Sequence, residues 1–176
     1  MTVSRILVAG IGNIFLGDDG FGTEVIRRMA AEPQPLGVVI RDFGIRGFDL
    51  AYALNEPWDA VIFVDALSRD EKPGTVFVLE PSLEELETLE QDVQPHGMHP
   101  LQAIRLAKSL GELPPRLLVV GCEPADLGGE NGTMGLSREV EAAVEVAIQT
   151  IQQLVSEARS LTPSERSRQH EVPAKP

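Results

Sequence analysis

The residues best suited to chemistry stand in the glycine-rich segment 10–22, which follows a strand-like apolar run. Asp18 and Asp19 occupy the two positions where a phosphate-binding loop carries a lysine and a hydroxyl residue. Phe15 stands where a dinucleotide-binding fingerprint requires its third glycine. Two carboxylates repel a phosphate, so the segment favours a cation. An alternative interpretation is that one of these acids caps the helix that follows.

Further candidate ligands lie elsewhere in the chain. Asp65 directly follows the apolar run 61–64, and His96 and His99 stand just before the start of a helix. The two histidines are three residues apart, which is not the spacing of a helical metal pair, so we expect only one of them to bind an ion. One imidazole with two carboxylates suits nickel, zinc or iron. Asp65 has an alternative role as the cap of the turn 68–72.

Alternating apolar patterns predict the elements that position these residues. About ten residues separate the third and fourth strands, too few for a comfortable crossover helix, so we expect the fourth strand to be antiparallel. The pattern predicts an α/β three-layer sandwich: a twisted, mostly parallel sheet of about five strands with helices on both faces. Strands are predicted at 6–9, 37–42, 60–64, 75–79 and 116–120, and helices at 23–31, 48–54, 80–92, 100–110 and after Ser137.

Composition bounds the class of protein. The 176 residues carry a formal net charge of -12, which disfavours nucleic acid and anionic membranes as partners. Cys122 is the lone cysteine, so no disulfide framework forms within the chain. No apolar run is long enough to span a bilayer and no leader pattern precedes the first strand, so we expect a cytoplasmic protein. We predict one domain over residues 1–156, a disordered tail over 157–176, and a monomer.

Five short motifs follow one another along the chain. They are Gly10-x-Gly12-Asn13, Asp18-Asp19-Gly20-x-Gly22, Val64-Asp65-Ala66, His96-Gly97-Met98 with Pro100, and Val120-Gly121-Cys122-Glu123-Pro124. In this order they closely resemble the maturation endopeptidases of nickel-iron hydrogenases. The resemblance covers residues 5 to 156, and the combination is far more specific than any single motif.

The resemblance implies an endopeptidase that removes the C-terminal extension of a hydrogenase large-subunit precursor after nickel insertion. It implies Asp19, Asp65 and His96 as the catalytic residues and nickel ligands, with the nickel carried by cysteine thiolates of the precursor. Asp18 is then expected to support the loop, and His99 has no assigned role. Either the metal or a carboxylate, as in aspartyl proteases, would activate water. Two other functions stay open: a metal-dependent hydrolase of small peptides or amides with its own ion, and a non-catalytic nickel-binding chaperone.

Overall fold

The computed structural model describes residues 3–81 and 100–160. Within those ranges the chain alternates strands and helices in the order that the apolar patterns predict. The strands are β1 (Ile6–Ile11), β2 (Val38–Gly44), β3 (Ala60–Ala66), β4 (Val76–Leu79) and β5 (Leu117–Cys122). The helices are α1 (Phe21–Met29), α2 (Gly47–Leu54), α3 (Pro100–Leu110) and α4 (Arg138–Ser160), and a short 3-10 helix, Gly17–Gly20, leads into α1.

The five strands form one sheet in the order β2-β1-β3-β5-β4. The β1/β2, β1/β3 and β3/β5 pairs are parallel, and β4 pairs antiparallel with β5. The predicted fold class, including the antiparallel fourth strand, is therefore confirmed. The short connection from β3 to β4 is the physical reason, because it holds no helix that could return the chain to the other end of the sheet.

Both faces of the sheet are buried, because successive residues of each central strand point to opposite sides. On one face, Ile6 and Val8 of β1 lie in a core that includes apolar residues of α1 and α4. On the other face, Leu7 and Ala9 lie in a core that includes residues of α2 and α3. The burial of β1 on both sides explains why its sequence is continuously apolar rather than alternating.

Helix α4 extends further than the predicted domain boundary at residue 156. It is helical to Ser160, and Ala158 is buried against the same core as Val155. The predicted disordered tail therefore does not include residues 157–160, because the apolar stripe of the helix continues through Ala158. The rest of the predicted tail (161–176), and residues 82–92 of the predicted acidic helix, lie outside the described residues. No helix in the described part of the chain is long and apolar enough to cross a membrane.

Candidate functional site

The predicted site lies at the edge of the sheet where the parallel strands β1 and β3 end. These two strands are neighbours, and Gly10 pairs with Val64 in their common register. The loop that carries Asp19 leaves β1 at this edge, and β3 reaches Asp65 one residue after Val64. The strand β3 is longer than predicted and ends at Ala66, so Asp65 lies within the strand, paired with Gly121 of β5, rather than in the following loop. Parallel pairing therefore brings the two acids, 46 positions apart in the chain, to one place.

Glycines allow the first loop and α1 to lie directly on the strand ends. A Cβ on Gly22 would lie 2.1 Å from the carbonyl oxygen of Val64 and 2.3 Å from that of Ile11. Gly12 has a φ of +135°, and its Cβ would lie 1.8 Å from the carbonyl oxygen of Asp19. A side chain at either position would collide with backbone rather than with a movable group. The absence of a side chain at Gly12 and Gly22 therefore allows the backbone of the acidic loop and of α1 to pack closely against the strand ends.

Asp19 lies half-buried and keeps much of its hydrogen-bonding capacity free. Its Oδ2 accepts the backbone N–H of Asn13 at 2.8 Å, and no described side chain donates to it. Burial raises the pKa of the Asp19 carboxyl above its ordinary value, and the Asn13 bond offsets this only in part. The helix-cap interpretation of this residue is wrong, since α1 has no side-chain cap.

Asp65 is buried, with 5% of its surface exposed. Burial raises its pKa well above the ordinary value, the nearby charge of Asp19 raises it further, and the N–H of Ala66 lowers it. No described side chain donates a hydrogen bond to this carboxylate. Two poorly solvated carboxylates that repel each other form a site where positive charge would be stabilised.

The neighbouring acid Asp18 has a different environment. It is fully buried, and its two oxygens accept four hydrogen bonds: from the N–H groups of Ala125, Asp126 and Ser137, and from the Ser137 hydroxyl. Burial raises the pKa of Asp18, but these four bonds outweigh it, so the pKa lies below its ordinary value. Asp18 does not cap α1. It joins the first loop to the segment before α4, as a supporting role predicts.

Ser137 begins the long helix, as predicted, but it also belongs to this junction. Its hydroxyl accepts the N–H of Val140 at 3.4 Å and donates to Asp18 at 2.9 Å. The negative charge of Asp18 therefore lies at the N-terminus of α4, where the helix dipole stabilises it. The start of α4 and the candidate site are built on the same hydrogen-bonded unit.

Glu123 belongs to the motif that follows the last strand, and the sequence predicts no role for it. Its carboxylate accepts the Ser68 hydroxyl and the N–H groups of Arg69 and Glu71, and these bonds lower its pKa. Glu123 thus caps the turn after β3, which was the alternative role considered for Asp65. The signal was an acid directly after a buried strand, but Asp65 has the same signal, so the sequence could not separate the two.

Cys122 is not suited to nucleophilic catalysis. The thiol is buried among apolar residues, and burial, with the nearby charges of Asp18 and Glu123, raises its pKa to about 12. A thiol with so high a pKa supplies almost no thiolate near neutrality.

Residues 42–47, which span the end of β2 and the start of α2, contribute Asp42, Phe43 and Arg46 to the lining of a groove of about 540 Å³ between these two elements. Neither Asp19 nor Asp65 lines that groove. The segment still touches the site region, because the Gly44 carbonyl accepts the N–H of Gly12 at 3.0 Å. The charged residues that line the groove include Arg41, whose guanidinium pairs with the Glu56 carboxylate at 2.7 Å.

The third predicted ligand, His96, and its neighbour His99 lie outside the described residues. The described part of the chain holds no cluster of three or more histidine, cysteine, aspartate or glutamate residues that could bind a metal ion by itself. The structure therefore brings together Asp19 and Asp65, and the membership of His96 stays a prediction.

The chain is similar to known proteins in both sequence and fold. A family model described as hydrogenase maturation protease matches residues 23–154. The chain is 31% identical to the hydrogenase 2 maturation protease of Escherichia coli K12 over 150 residues, which are 84% of this chain and 88% of that protein. It is 33% identical to the hydrogenase expression/formation protein HupD of Rhizobium leguminosarum over 150 residues, 84% of this chain and 74% of that one.

A solved structure of a hydrogenase maturation protease has a similar fold. The hydrogenase maturating endopeptidase HybD of E. coli superposes with a TM-score of 0.74 at 29% identity, over 88% of this chain and 93% of that one. The sheet with one antiparallel strand and the paired acids at its edge thus occur in a chain whose sequence and fold both match these proteases. It belongs to the hydrogenase maturation protease family.

Proposed function

We propose that the protein is the endopeptidase that removes the C-terminal extension of a nickel-iron hydrogenase large-subunit precursor once nickel has been inserted. In this proposal Asp19, Asp65 and His96 recognise the nickel, which arrives as part of the substrate. The observation that carries the proposal is the pair Asp19 and Asp65 at one sheet edge, in a chain of the hydrogenase maturation protease family.

The environment of the two acids supports a role with a cation. Their described hydrogen-bond donors are backbone N–H groups, one for each carboxylate, so lone pairs remain available for a metal. Burial and mutual repulsion make two adjacent negative charges costly in isolation, and a divalent ion between them would remove that cost. Oxygen donors with one imidazole are a donor set that nickel accepts.

The fold supports a positioning role. Both acids lie on a rigid frame, one at the end of β3 and the other in a loop seated on two strands by Gly12 and Gly22. If the nickel of the precursor is bound there, the peptide that follows its metal site is held beside the same edge. Orientation of this kind lowers the barrier of peptide hydrolysis by about 7 to 11 kcal/mol at the upper limit.

The reaction itself is a hydrolysis. Water adds to the scissile carbonyl carbon, the C–N bond breaks, and the released amine takes up a proton. A carboxylate of Asp19 or Asp65 would accept the proton of the water, or the metal would polarise the water or carbonyl. In either case the two acids must lie beside the scissile bond.

The test uses the purified protein with two forms of a large-subunit precursor, one loaded with nickel and one free of it. Mass spectrometry is expected to show loss of the C-terminal peptide from the loaded form only. Cleavage of both forms would refute nickel recognition, and cleavage of neither would favour a non-catalytic chaperone. A small-substrate hydrolase would instead cleave short peptides with its own added ion.

Variants test the three residues separately. Asp19→Asn and Asp65→Asn are expected to reduce processing by at least about a hundredfold, as the loss of a group acting in the transition state does. His96→Ala is expected to do the same, with His99→Ala as its matched control. Full processing by His96→Ala together with an inactive His99→Ala would show that the other histidine is the ligand.

A further inference from the structure

We propose that two hydrogen-bonded loops beside Asp19 form an apolar docking surface for the hydrogenase large-subunit precursor. The loops are residues 13–18, between β1 and α1, and residues 126–134, between β5 and α4. We call them together the apolar rim. This inference rests on the proposed function, because it concerns how the substrate of that reaction is held.

The rim exposes large apolar side chains where loops usually expose polar ones. Ile14 is 44% exposed, Phe15 60%, Leu127 50% and Met134 71%. Exposed phenylalanine, leucine and methionine grouped on two short loops form a patch of the kind found at protein interfaces, whereas single exposed apolar residues need no explanation.

Backbone contacts show that the two loops lie side by side. The N–H of Thr133 donates to the Phe15 carbonyl at 2.9 Å, and the N–H of Gly17 donates to the Thr133 carbonyl at 2.6 Å. The N–H of Asp18 donates to the Asp126 carbonyl at 2.8 Å. Phe15 and Met134 therefore belong to adjoining segments, and so do Asp18 and Leu127.

The rim is held in one arrangement before any partner binds. Besides the backbone bonds, the buried carboxylate of Asp18 accepts the N–H of Asp126 in the second loop and the N–H of Ala125 directly before it. Ordering a loop on binding costs conformational entropy, and a loop that is already ordered avoids that cost. Exposed apolar side chains on a fixed frame are therefore suited to binding a protein surface.

The position of the rim identifies the occupant. Its first loop is the one that positions Asp19, since the N–H of Asn13 donates to the Asp19 carboxylate at 2.8 Å. A protein substrate whose scissile segment reaches Asp19 must lie against that loop. The partner is accordingly an apolar surface of the precursor next to its metal site. The groove between β2 and α2 is less suitable, because it is lined mainly by charged residues such as Arg41 and Glu56.

The test measures processing of the nickel-loaded precursor by a double variant, Phe15→Ser with Met134→Ser. The KM is expected to rise about tenfold or more with little change in kcat, because truncation of central apolar contacts weakens binding without touching the acids. Leu36→Ser is the matched control. Leu36 is 74% exposed but lies just before β2, at the end of the sheet opposite to the one that carries Asp19. The KM of the Leu36→Ser variant should therefore stay within about twofold of the wild-type value.

The outcomes separate this inference from the proposed function. An unchanged KM in the double variant, with normal cleavage by the wild type, overturns the docking surface alone. A wild type that cleaves no precursor overturns the proposed function, and binding of the precursor by the wild type and the double variant then still tests the rim. If light scattering shows that the wild type dimerises and the double variant does not, the rim is an interface between copies and the inference is wrong.

Discussion

Replacing Asp18 by asparagine tests whether its hydrogen bonds hold the candidate site together. Oδ2 of Asp18 accepts three of its four hydrogen bonds, and Oδ1 accepts the N–H of Ser137 at 2.6 Å. Asparagine keeps one oxygen and turns an NH2 group toward a donor. At least one buried N–H then loses its acceptor, which costs about 1 to 3 kcal/mol, and the remaining bonds lose their ionic component.

The expected loss for Asp18→Asn is therefore about 3 kcal/mol in the free energy of unfolding. That loss is smaller than the roughly 5 to 15 kcal/mol that stabilises a typical domain, so the variant should still fold. For a chain of this length the melting temperature should fall by about 6 to 12 °C. Urea unfolding followed by circular dichroism measures the change, with an unaltered m-value as the sign that the unfolded state is the same.

Asp126→Asn is the matched control for Asp18→Asn. It removes the same charge from the same pair of loops, but the described structure gives the Asp126 carboxylate a single N–H donor, Gly128 at 2.8 Å, which an asparagine oxygen also accepts. Its effect should stay below about 0.5 kcal/mol. If Asp18→Asn is as mild as this control, the buried network does not contribute the stability that its geometry indicates.

Three further predictions concern packing, pH and the thiol. Gly22→Ala should unfold the protein more easily and abolish processing, because its Cβ would overlap the Val64 carbonyl oxygen; near wild-type stability in urea would contradict this. The pKa of Glu24 is lowered to about 2, first by its hydrogen bond to Arg27. The stabilisation that the Glu24 carboxylate provides should be complete above about pH 4.5 and should disappear as the pH falls toward 2. The measurement is the difference in the free energy of unfolding between the wild type and Glu24→Gln, which should shrink over this pH range. Cys122 should resist iodoacetamide at about pH 8 until urea unfolds the chain, and rapid labelling of the native protein would refute its burial.

Local patterns were enough to predict the sheet and the placement of the two acids. The apolar run of β1 predicts a strand buried on both faces, and the rule that parallel strands gather side chains at their carboxyl ends places Asp19 near Asp65. The partners of Asp18 could not be predicted in this way. They lie 107 to 119 positions away, and only tertiary packing of the two loops brings them to it.

The roles of Asp65 and Glu123 show a similar limit. Each is an acid at the end of a buried strand, and each is 5% exposed. Glu123 faces the turn after β3 and accepts three hydrogen bonds from it, whereas Asp65 faces the charge of Asp19. Sequence alone shows the residue type and its burial. It does not show which of the two acids lies beside a turn that donates hydrogen bonds and which lies beside a second acid.

Asp18 and Asp19 show what decides the difference. They are identical residues at adjacent positions, and burial raises the pKa of both. Asp18 receives four hydrogen bonds and its pKa falls, so its negative charge is satisfied within the protein and contributes to stability. Asp19 receives one and its pKa rises, so its charge is left poorly compensated. A carboxylate that the fold compensates has little to offer a ligand, and one that it leaves uncompensated beside a second acid attracts a cation. The count of donors around each acid, rather than the motif that contains both, separates the support of the site from its chemistry.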